Sequence, residues 1–260
     1  MSSALDRLLA FDMCQLHSSD AAFENLGTET SKVSVLPFED PAEPETSRKL
    51  IGADEVGRGA LAGPAVVVCV SFPPHLLTEA ERRRELLEYL GGLDDSKRLS
   101  PKRRERLAPE ILKIAHVGIG ASPPAEIDRI GIVAACRLAL GRAYRTIGCP
   151  AATLLLDRGL SLPPAPAGQS AVQTRRPAQQ IELTRGDSRS LHIAAASVVA
   201  KVTRDLWMTR LAERFPGYGL DRHKGYGTAI HREALQRLGP SPIHRRTFLR
   251  RLGWSENQSC

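Results

Sequence analysis

The feature that most constrains the fold is a pair of adjacent carboxylates between two apolar segments. Asp54 and Glu55 follow the short apolar run at 50–53, and a glycine-rich turn then leads into the Val-rich run Ala65 to Phe72. A continuous Val-rich run is typical of a strand that is covered on both faces of a sheet. Two like charges at the end of a buried strand raise each other's electrostatic cost unless a cation compensates them. The pair is therefore a candidate metal site.

The remaining periodicities indicate a mixed α/β layer with helices packed on the sheet. The first two strands are joined by a short turn with three glycines, which predicts an antiparallel hairpin. We predict five strands, at 50–54, 65–72, 113–121, 152–156 and 180–183. We predict helices from a capping box at Thr78 to about 90, from Ser100 with an interruption at Pro109, and at 125–147, 191–214 and 228–238.

Two segments fall outside this pattern. Residues 1–48 contain the acidic, proline-rich stretch Pro37 to Glu45, which predicts an irregular linker, so we expect the compact domain to begin near Lys49. Residues 160–179 are rich in Pro, Ala, Gln and Arg and lack periodicity, which predicts a surface insertion. We therefore divide the chain into a flexible extension (1–48), a main domain (49–215) and a C-terminal helical region (216–260).

Composition narrows the class of protein. The 260 residues are 42% hydrophobic, which suffices for a substantial core, and the net charge of +7 suits a polyanionic partner such as nucleic acid. Five scattered cysteines form no C-x-x-C pair, which favours a reducing cytoplasm over a disulfide scaffold. There is no apolar run long enough for a membrane span, and the N-terminus lacks the pattern of a secretory signal.

Further acids follow the later strands. Asp157 comes directly after the fourth strand and Asp187 follows the fifth. If the first and fourth strands are neighbours, these acids meet Asp54 and Glu55 at one edge of the sheet. An all-oxygen set suits Mg²⁺ or Mn²⁺ rather than zinc, and two such ions would serve phosphodiester cleavage. Because successive strand residues point to opposite faces, we expect the first strand to break at Glu55 so that both neighbours reach one ion.

Six sequence blocks occur in an order that resembles one known family. They are Asp54-Glu55-Val56-Gly57-Arg58-Gly59 with Ala62-Gly63-Pro64, Asp95-Ser96-Lys97, Glu126-Ile127-Asp128, Gly186-Asp187-Ser188, Ala195 to Asp205, and His223-Lys224-Gly225-Tyr226-Gly227-Thr228. Any one block alone is a weak signal, whereas six in one order are highly specific. Together they resemble ribonuclease HII, the bacterial type 2 ribonuclease H, over about residues 50–250.

The resemblance implies a ribonuclease H-like fold, with a mixed five-stranded sheet flanked by helices and a C-terminal helical region that binds substrate. It implies a metal-dependent endonuclease that cleaves the RNA strand of RNA–DNA hybrids. It also implies incision 5′ to single ribonucleotides in duplex DNA, as in ribonucleotide excision during DNA repair and replication, leaving 3′-hydroxyl and 5′-phosphate ends. The implied cofactors are two Mn²⁺ or Mg²⁺ ions, and the implied partners are RNA–DNA hybrid and ribonucleotide-containing duplex DNA.

The resemblance also assigns roles residue by residue. The family's catalytic and metal-binding acids fall on Asp54, Glu55, Asp157 and Asp187, its Gly-Arg-Gly element on Gly57, Arg58 and Gly59, and its ribose-sensing tyrosine on Tyr226. A glycine backbone can approach the minor groove closely and meet a 2′-hydroxyl, and a tyrosine ring can stack on the following deoxyribose. We expect phosphate contacts from Lys97, Lys201 and Lys224, with Ser188 and Ser197 as weaker candidates.

Other residues in these regions have structural interpretations. Asp205 lies four residues after Lys201 on one predicted helix and is expected to be its ion-pair partner. Tyr218 lies in a Gly-Tyr-Gly setting like that of the ribose-sensing tyrosine, and we interpret it as structural. The chain departs from the family pattern at Arg158, directly after the third acid, and at Gly131, which should weaken the helix around it.

Two alternatives remain beside the leading interpretation. Ribonuclease HIII shares the fold, but its family carries a sizeable N-terminal domain for which residues 1–48 are too short and too rich in proline. A non-catalytic module that binds hybrids predicts the loss of at least one of the four acids, and all four are present. We expect a monomeric, cytoplasmic enzyme.

Overall fold

The computed structural model describes residues 50–91, 93, 96, 99–147, 153–162, 177 and 179–254. Within this part of the chain, five strands form one sheet in the order β3-β2-β1-β4-β5. They are β1 (Leu50–Val56), β2 (Ala65–Ser71), β3 (His116–Ser122), β4 (Thr153–Asp157) and β5 (Gln179–Leu183). The predicted mixed five-stranded sheet is confirmed.

The helices follow the strands in the predicted order. They are α1 (His75–Thr78), α2 (Ala80–Tyr89), α3 (Pro101–Ile114), α4 (Pro124–Ile130), α5 (Ile132–Ile147), α6 (Leu191–Arg214), α7 (Leu220–His223), α8 (Ala229–Leu238) and α9 (Arg246–Arg250), with a 3₁₀ turn at Gly186–Ser188. Ser100, Ser190 and Thr228 accept backbone hydrogen bonds at the starts of α3, α6 and α8. These side-chain caps are why the predicted starts of these three helices are right.

Strand β1 is central and joins the two halves of the sheet. It forms the predicted antiparallel hairpin with β2, in register from Gly52 opposite Val70 to Val56 opposite Val66. It also pairs in parallel with β4, and β4 pairs in parallel with β5. The carboxyl ends of β1, β4 and β5 therefore meet at the same edge of the sheet.

Helices cover both faces of the sheet, giving three layers. Helix α6, supported by α3, covers one face with a core that includes Val66, Val68, Val70, Ala195, Val198 and Val199. Helix α5 covers the other face with a core that includes Val67, Cys69, Ala135, Ala139, Ala143 and Leu154. The alternation of Val66 to Val70 between the two cores explains why β2 is apolar at every position.

A third cluster forms around the end of α6. Its buried members come from the chain after β1, from α6 and from the C-terminal elements, and include Leu61, Met208, Leu211, Tyr218, Leu220, Leu235, Ile243 and Leu249. The C-terminal region thus packs against the turn between β1 and β2 rather than standing apart from the sheet.

Three local helix predictions are wrong. The predicted helix at 125–147 is divided at Gly131, whose φ of 79° ends α4 before α5 begins. Pro109 lies inside an unbroken α3, because the apolar side of that helix is anchored by Leu107, Ala108, Ile111 and Leu112. The N-cap of α2 is Glu79, which makes no side-chain capping bond, so the predicted capping box at Thr78 is not the helix start.

Some predictions lie outside the described residues. These are the extension at 1–48 with its proline-rich linker, and most of the insertion at 160–179. Among the described residues, no helix is long and apolar enough to cross a membrane. Cys69 and Cys136 are buried free thiols.

Candidate active site

Strand β1 remains regular through the acid pair. Glu55 is opposite Val67 on β2, and the pairing continues through Val56 before the chain turns at Gly57, where φ is 85°. The predicted break at Glu55 is therefore wrong, because the ladder to β2 extends two residues beyond Asp54. Asp54 and Glu55 consequently start on opposite faces of the sheet.

The two faces give the acids different neighbours. Asp54 faces α6, where the hydroxyl of Ser197 hydrogen-bonds to its carboxylate. Glu55 faces α5, where its charge adds to burial in raising the pKa of the Cys136 thiol to about 11. The acid pair therefore lies at the rim of the sheet, with one carboxylate on each side.

Asp157 is brought beside Asp54 by the sheet register. Extending the parallel pairing of β1 and β4 by one residue places Asp54 opposite Asp157, and paired residues on neighbouring strands share a face. The Gly186 N–H donates to Oδ1 of Asp157 at 3.0 Å, which ties this strand end to the 3₁₀ turn that carries buried Asp187. We call Asp54, Glu55, Asp157 and Asp187 the acid edge.

The raised pKa of Asp54 shows that its negative charge is destabilised at this edge of the sheet. Burial, the charge of Glu55 and the charge of Asp157 raise the pKa of Asp54 to about 7. Two hydrogen bonds oppose this rise: one from Ser197, and one from the Glu55 N–H to Oδ1 at 2.8 Å. Ionisation of Asp54 near neutral pH is thus costly, and a bound cation would remove that cost.

Glu55 is only partly compensated. Burial raises the pKa of Glu55 and Asp157 adds to the rise, while nearby Arg58 lowers it. The Arg58 guanidinium lies 3.5 Å from Oε1, but Oε2 is buried and has no hydrogen-bond partner within the described chain. A buried carboxylate oxygen without a partner is destabilising, and a metal ion would supply the missing partner.

These features fit a divalent cation bound through oxygen. Mg²⁺ and Mn²⁺ prefer carboxylate ligands, and the acid edge offers mutually repelling carboxylates and one orphaned oxygen. Over the residues that the structure describes, no three or more Asp, Glu, His or Cys side chains are already grouped so as to hold an ion. The acids are gathered at one edge without closing around a common point, and their role as ligands stays a prediction.

The segment Gly57–Pro64, here called the glycine turn, docks on two distant segments. The Leu61 N–H donates to the carbonyl of Gly225 at 2.8 Å, and the Gly63 N–H donates to the carbonyl of Ile243 at 2.8 Å. These bonds hold the turn between the loop before α8 and the segment before α9. Its conformation is therefore set by the C-terminal region as well as by the hairpin.

Two glycines of this turn have opposite surroundings. At Gly57, φ is positive and a Cβ would lie 2.1 Å from Nε of Arg204, so no other residue fits without movement. Gly59 is exposed, and a Cβ there would meet nothing within 4 Å. Gly57 is required by packing, whereas Gly59 leaves open space beside the acid edge.

Arg204 connects the turn to the Tyr226 loop. Its buried guanidinium donates to the carbonyls of Pro64 at 3.0 Å, Ala62 at 3.1 Å and Lys224 at 2.8 Å. Its Cζ also lies 5.4 Å from the centroid of the Tyr226 ring. The two elements that the sequence assigns to ribose recognition are thus fixed to one side chain.

The two tyrosines in Gly-Tyr-Gly settings have different surroundings. Tyr218 is 7% exposed and its hydroxyl donates to the carbonyl of Gly239 at 2.8 Å, which confirms its structural role. Tyr226 is 36% exposed, and its backbone is held by the carbonyl of His223 and the N–H of Thr228. The ring of Tyr226 is therefore available at the surface while its backbone is anchored.

The predicted phosphate contacts lie in a mixed-charge cluster. Nζ of Lys201 is 2.7 Å from Oδ1 of Asp205, which confirms the expected ion pair. Nζ of Lys224 donates to the hydroxyl of Thr209 at 2.8 Å, and burial lowers the pKa of Lys224 while Asp205 partly opposes the change. Lysines in this cluster keep donors near the surface, as a phosphate contact requires.

The remaining candidates are described only in part. Lys97 and the side chain of Ser188 lie outside the described residues. Ser197 is buried, and its hydroxyl is hydrogen-bonded to the hydroxyl of Ser96 at 2.6 Å as well as to Asp54. These contacts make Ser197 a support for the acid edge.

Two acids of one sequence block, Glu126 and Asp128, have structural roles that the sequence does not predict. Glu126 forms an ion pair with Arg142 at 2.7 Å. Asp128 accepts hydrogen bonds from the N–H groups of Arg246 at 2.8 Å and Thr247 at 2.9 Å, and so caps α9. An acidic residue is a familiar N-terminal cap, but this helix begins far along the chain, and no local pattern reveals the pairing.

A column of three histidines lies beneath the Tyr226 loop. The rings of His223 and His231 stack with centroids 4.3 Å apart, and Nε2 of His231 lies 3.1 Å from Nε2 of His244. Nδ1 of His231 lies 3.0 Å from the carbonyl of Tyr226, which only accepts, so His231 donates there and accepts from His244. Burial lowers the pKa of His231 to about 4 and of His244 to about 3, so both are neutral as this pairing requires.

Comparison with known proteins gives one consistent family. The family model for ribonuclease HII matches residues 51–256. A ribonuclease HII of Syntrophotalea carbinolica is 44% identical over 217 residues, which are 83% of this chain and 92% of that protein.

Solved structures share the fold. The structure of a PCNA:RNase HII complex from Archaeoglobus fulgidus contains a chain that is 26% identical, with a TM-score of 0.58, covering 76% of this chain and 94% of that one. Bst-RNase HIII in complex with Mn²⁺ is 21% identical, with a TM-score of 0.54, covering 82% of this chain and 71% of that one. The second likeness concerns the fold alone.

Proposed function

The chain belongs to the ribonuclease HII family of metal-dependent endonucleases acting on RNA–DNA hybrids, and we propose that it also incises 5′ to single ribonucleotides in duplex DNA. The observation that carries the proposal is that the first two acids of the acid edge directly precede the glycine turn, with only Val56 between Glu55 and Gly57. A ribose read by the turn lies within reach of the acids that serve its cleavage. The expected products are 3′-hydroxyl and 5′-phosphate ends.

We assign the acid edge as the site of two divalent cations, Mg²⁺ or Mn²⁺, held by Asp54, Glu55, Asp157 and Asp187. When bound, such ions activate water and stabilise the leaving oxygen of a phosphodiester. The raised pKa of Asp54 and the unsatisfied Oε2 of Glu55 support the assignment, because a cation relieves both. Ser197 keeps Asp54 oriented by its hydrogen bond.

Ribonucleotide recognition is assigned to the glycine turn and Tyr226. Exposed Gly59 lets a sugar approach the backbone closely, and the backbone can exchange hydrogen bonds with a 2′-hydroxyl. The Leu61–Gly225 hydrogen bond and the shared contacts of Arg204 hold the Tyr226 loop against the turn. The protein would recognise an RNA–DNA junction by contacting the ribose at the glycine turn and the next deoxyribose at the Tyr226 ring.

Substrate phosphates are assigned to Lys201 and Lys224, with Lys97 as a third contact from the sequence. Asp205 holds the ammonium group of Lys201 by a 2.7 Å ion pair, and Thr209 holds that of Lys224. Fixing two flexible lysines in this way lowers the entropic cost of a phosphate contact. Arg58 is assigned to the substrate as part of the Gly-Arg-Gly element, and its guanidinium lies 3.5 Å from Oε1 of Glu55.

The proposal is tested with a DNA duplex that contains one ribonucleotide, incubated with Mn²⁺, Mg²⁺ or EDTA. We expect one cut 5′ to the ribonucleotide with either ion and none in EDTA, with the ends mapped by ligation and phosphatase sensitivity. An otherwise identical all-DNA duplex and one with a 2′-O-methyl ribonucleotide are the controls and should stay intact. Cleavage of a continuous RNA–DNA hybrid without a cut at the single ribonucleotide would contradict the proposal and leave only the general activity.

Neither alternative from the sequence is favoured. A purely hybrid-binding module is excluded by membership of an endonuclease family, and the matching family model is ribonuclease HII rather than HIII. All groups named here lie on one chain, so the proposal requires only a monomer. We place it in the cytoplasm, where the buried free thiols Cys69 and Cys136 would stay reduced.

A further inference from the structure

We infer that Arg245, contributed by the C-terminal segment, is a positioning residue that presets the glycine turn for ribose recognition. The inference rests on the proposed function and deepens it, because it names the group that orients the turn. Arg245 belongs to a basic C-terminal stretch that in sequence resembles a solvated surface, yet it is fully buried. Its position therefore needs a reason other than solubility.

Within the described part of the chain, every hydrogen bond that the Arg245 side chain donates goes to a backbone carbonyl of the glycine turn. Its guanidinium donates to Gly57 at 2.7 Å, to Arg58 at 3.0 Å, and to Gly63 through two nitrogens at 3.0 Å and 2.9 Å. Among the described residues Arg245 forms no ion pair with a carboxylate. The dipoles of these carbonyls are what compensate its buried charge, so the guanidinium and the turn stabilise each other.

The planar geometry of the peptide unit determines where the N–H groups next to these carbonyls point. Within one planar trans peptide unit the C=O and the following N–H point in opposite directions. Because the carbonyls of Gly57 and Arg58 point inward to Arg245, the N–H groups of Arg58 and Gly59 point away from the interior. Neither N–H makes a hydrogen bond within the described chain, and the Gly59 carbonyl also accepts none.

The result is a pair of free N–H donors beside one free carbonyl on an exposed glycine. A 2′-hydroxyl can both accept and donate, so it matches this set, whereas the C–H of a deoxyribose matches none of it. The open space at Gly59, where a Cβ would meet nothing within 4 Å, leaves room for the sugar. By orienting these three groups, Arg245 would determine the specificity for a ribonucleotide.

Arg245 is itself held at both ends. Its backbone N–H donates to the carbonyl of Leu61 at 2.8 Å, and its guanidinium lies 5.2 Å from the centroid of the Phe248 ring. Immediately after it, Asp128 caps α9 through two backbone N–H groups. The main domain thus holds the C-terminal segment in place, and that segment fixes the glycine turn.

The test is the preference of the metal-free protein for a ribonucleotide. In EDTA, the affinities for a duplex with one ribonucleotide and for the same all-DNA duplex are measured by fluorescence anisotropy, and their ratio is the readout. We expect Arg245→Lys to lower the ratio about tenfold while the all-DNA affinity stays unchanged, because an ammonium cannot reproduce the fork of hydrogen bonds. A simple loss of stability would weaken both affinities alike.

A matched control is Arg142→Lys. Arg142 is partly buried and likewise donates to a backbone carbonyl, that of Ala121 at 2.7 Å, but among the described residues none of its hydrogen bonds reaches the glycine turn. Its ratio should equal that of the wild type. An equally large fall in the ratio for Arg142→Lys would overturn the inference, since any buried arginine would then have the same effect.

A second measurement needs no variant and covers the case in which Arg245→Lys fails to fold. Amide resonances of Arg58 and Gly59 in the wild-type protein should shift on binding the ribonucleotide-containing duplex and not on binding the all-DNA duplex. Equal shifts with both duplexes, or an unchanged ratio in a folded Arg245→Lys variant, would overturn the inference. If the wild type itself shows neither a preference for the ribonucleotide nor a cut at it, the proposed function is wrong, and this result does not depend on Arg245.

Discussion

The acid edge and the glycine turn adjoin in sequence but differ in how their polar groups are satisfied. At the acid edge, Oε2 of Glu55 is buried without a hydrogen-bond partner among the described residues, and the pKa of Asp54 is raised to about 7. In the glycine turn, the carbonyls of Gly57, Arg58 and Gly63 all receive hydrogen bonds from one buried guanidinium. The acid edge therefore lacks electrostatic compensation, whereas the inward-facing carbonyls of the glycine turn are satisfied.

This difference indicates that the two regions serve different tasks, catalysis and recognition. In the sequence, only Val56 separates Glu55 from the glycine turn. The fold concentrates negative charge at the strand ends and leaves its compensation to an ion. It prepares the recognition surface in full, using buried arginines and the C-terminal region. Chemistry should therefore depend on an added cation, whereas recognition should be a property of the folded chain alone.

The largest expected effect is that of Asp54→Asn on cleavage. Removing the central carboxylate should lower kcat by at least about 10³-fold in Mg²⁺ or Mn²⁺, because the ions lose a shared ligand. Binding of a continuous hybrid should change less than about threefold, since the glycine turn is untouched. Single-turnover cleavage and anisotropy binding measure the two quantities.

The control for this variant is Glu110→Gln, which removes a surface carboxylate paired with Lys113 far from the acid edge. It should retain wild-type cleavage. In EDTA at pH 8, Asp54→Asn should also melt at a higher temperature than the wild type, because a destabilising buried charge is gone. Retained metal-dependent cleavage by Asp54→Asn would disprove the role of the acid edge.

A pair of glycine substitutions separates packing from recognition. Gly57→Ala should destabilise the protein by about 3 kcal/mol, because φ is positive and the new Cβ meets the Arg204 guanidinium. Gly59→Ala should cost less than about 1 kcal/mol, yet it should weaken the preference for a ribonucleotide by filling the approach of the sugar. Urea unfolding measures the stability of each variant, and the anisotropy ratio measures its preference for a ribonucleotide. Equal stability losses in the two variants would contradict the assignment of Gly57 to packing and Gly59 to recognition.

A divalent cation should stabilise the folded protein through the acid edge. At about 100-fold excess over the dissociation constant, Mg²⁺ or Mn²⁺ should add about 3 kcal/mol to the free energy of unfolding. The gain should shrink as the pH falls below 7, since protons compete for Asp54. Thermal melts of the wild type and of Asp54→Asn test this, and an equal gain in both would place the ion elsewhere.

The smallest net effect comes from two opposite pH dependences that partly cancel. The folded pKa of Asp54 is raised, so its contribution to stability grows as pH falls from about 7 toward 4. The folded pKa values of His231 and His244 are lowered from 6.5, so their contribution is lost as pH falls from 6.5 toward 4 and 3. Each proton changes the free energy of unfolding by about 1.4 kcal/mol per pH unit.

Two variants should separate these slopes. Asp54→Asn should lose stability more steeply than the wild type between pH 7 and 4, because the opposing contribution of Asp54 is gone. His244→Asn keeps an acceptor near Ser241 and should decline less steeply. Urea unfolding at several pH values gives the slopes, and parallel curves for all three proteins would refute the assignment.

Sequence alone predicts the sheet and the gathering of acids well, because both depend on local patterns. Val-rich runs, turn glycines and strand ends define β1, β2 and β4, and the parallel β1–β4 pairing then brings Asp54 beside Asp157. The expected break at Glu55 fails because the ladder with β2 holds the strand straight through Val56. The glycine at 57, not the acid, supplies the turn.

The support of the site is what sequence cannot predict. Arg204 and Arg245 look like ordinary basic residues in a helix and a tail, yet most of their acceptors lie more than a hundred residues away in the chain. The same holds for the cap that Asp128 provides to α9. Such contacts depend on tertiary packing, for which one sequence carries no periodic signal.

The most direct test of the central claim compares recognition with and without metal in a protein that cannot cleave. The ratio of affinities of Asp54→Asn for a duplex with one ribonucleotide and for the all-DNA duplex is measured in EDTA and in Mn²⁺. The structure predicts a clear preference for the ribonucleotide in both conditions, equal within about twofold, because the glycine turn is complete without an ion. A preference that appears only with Mn²⁺ would show that recognition also depends on the acid edge and would contradict the separation of the two regions.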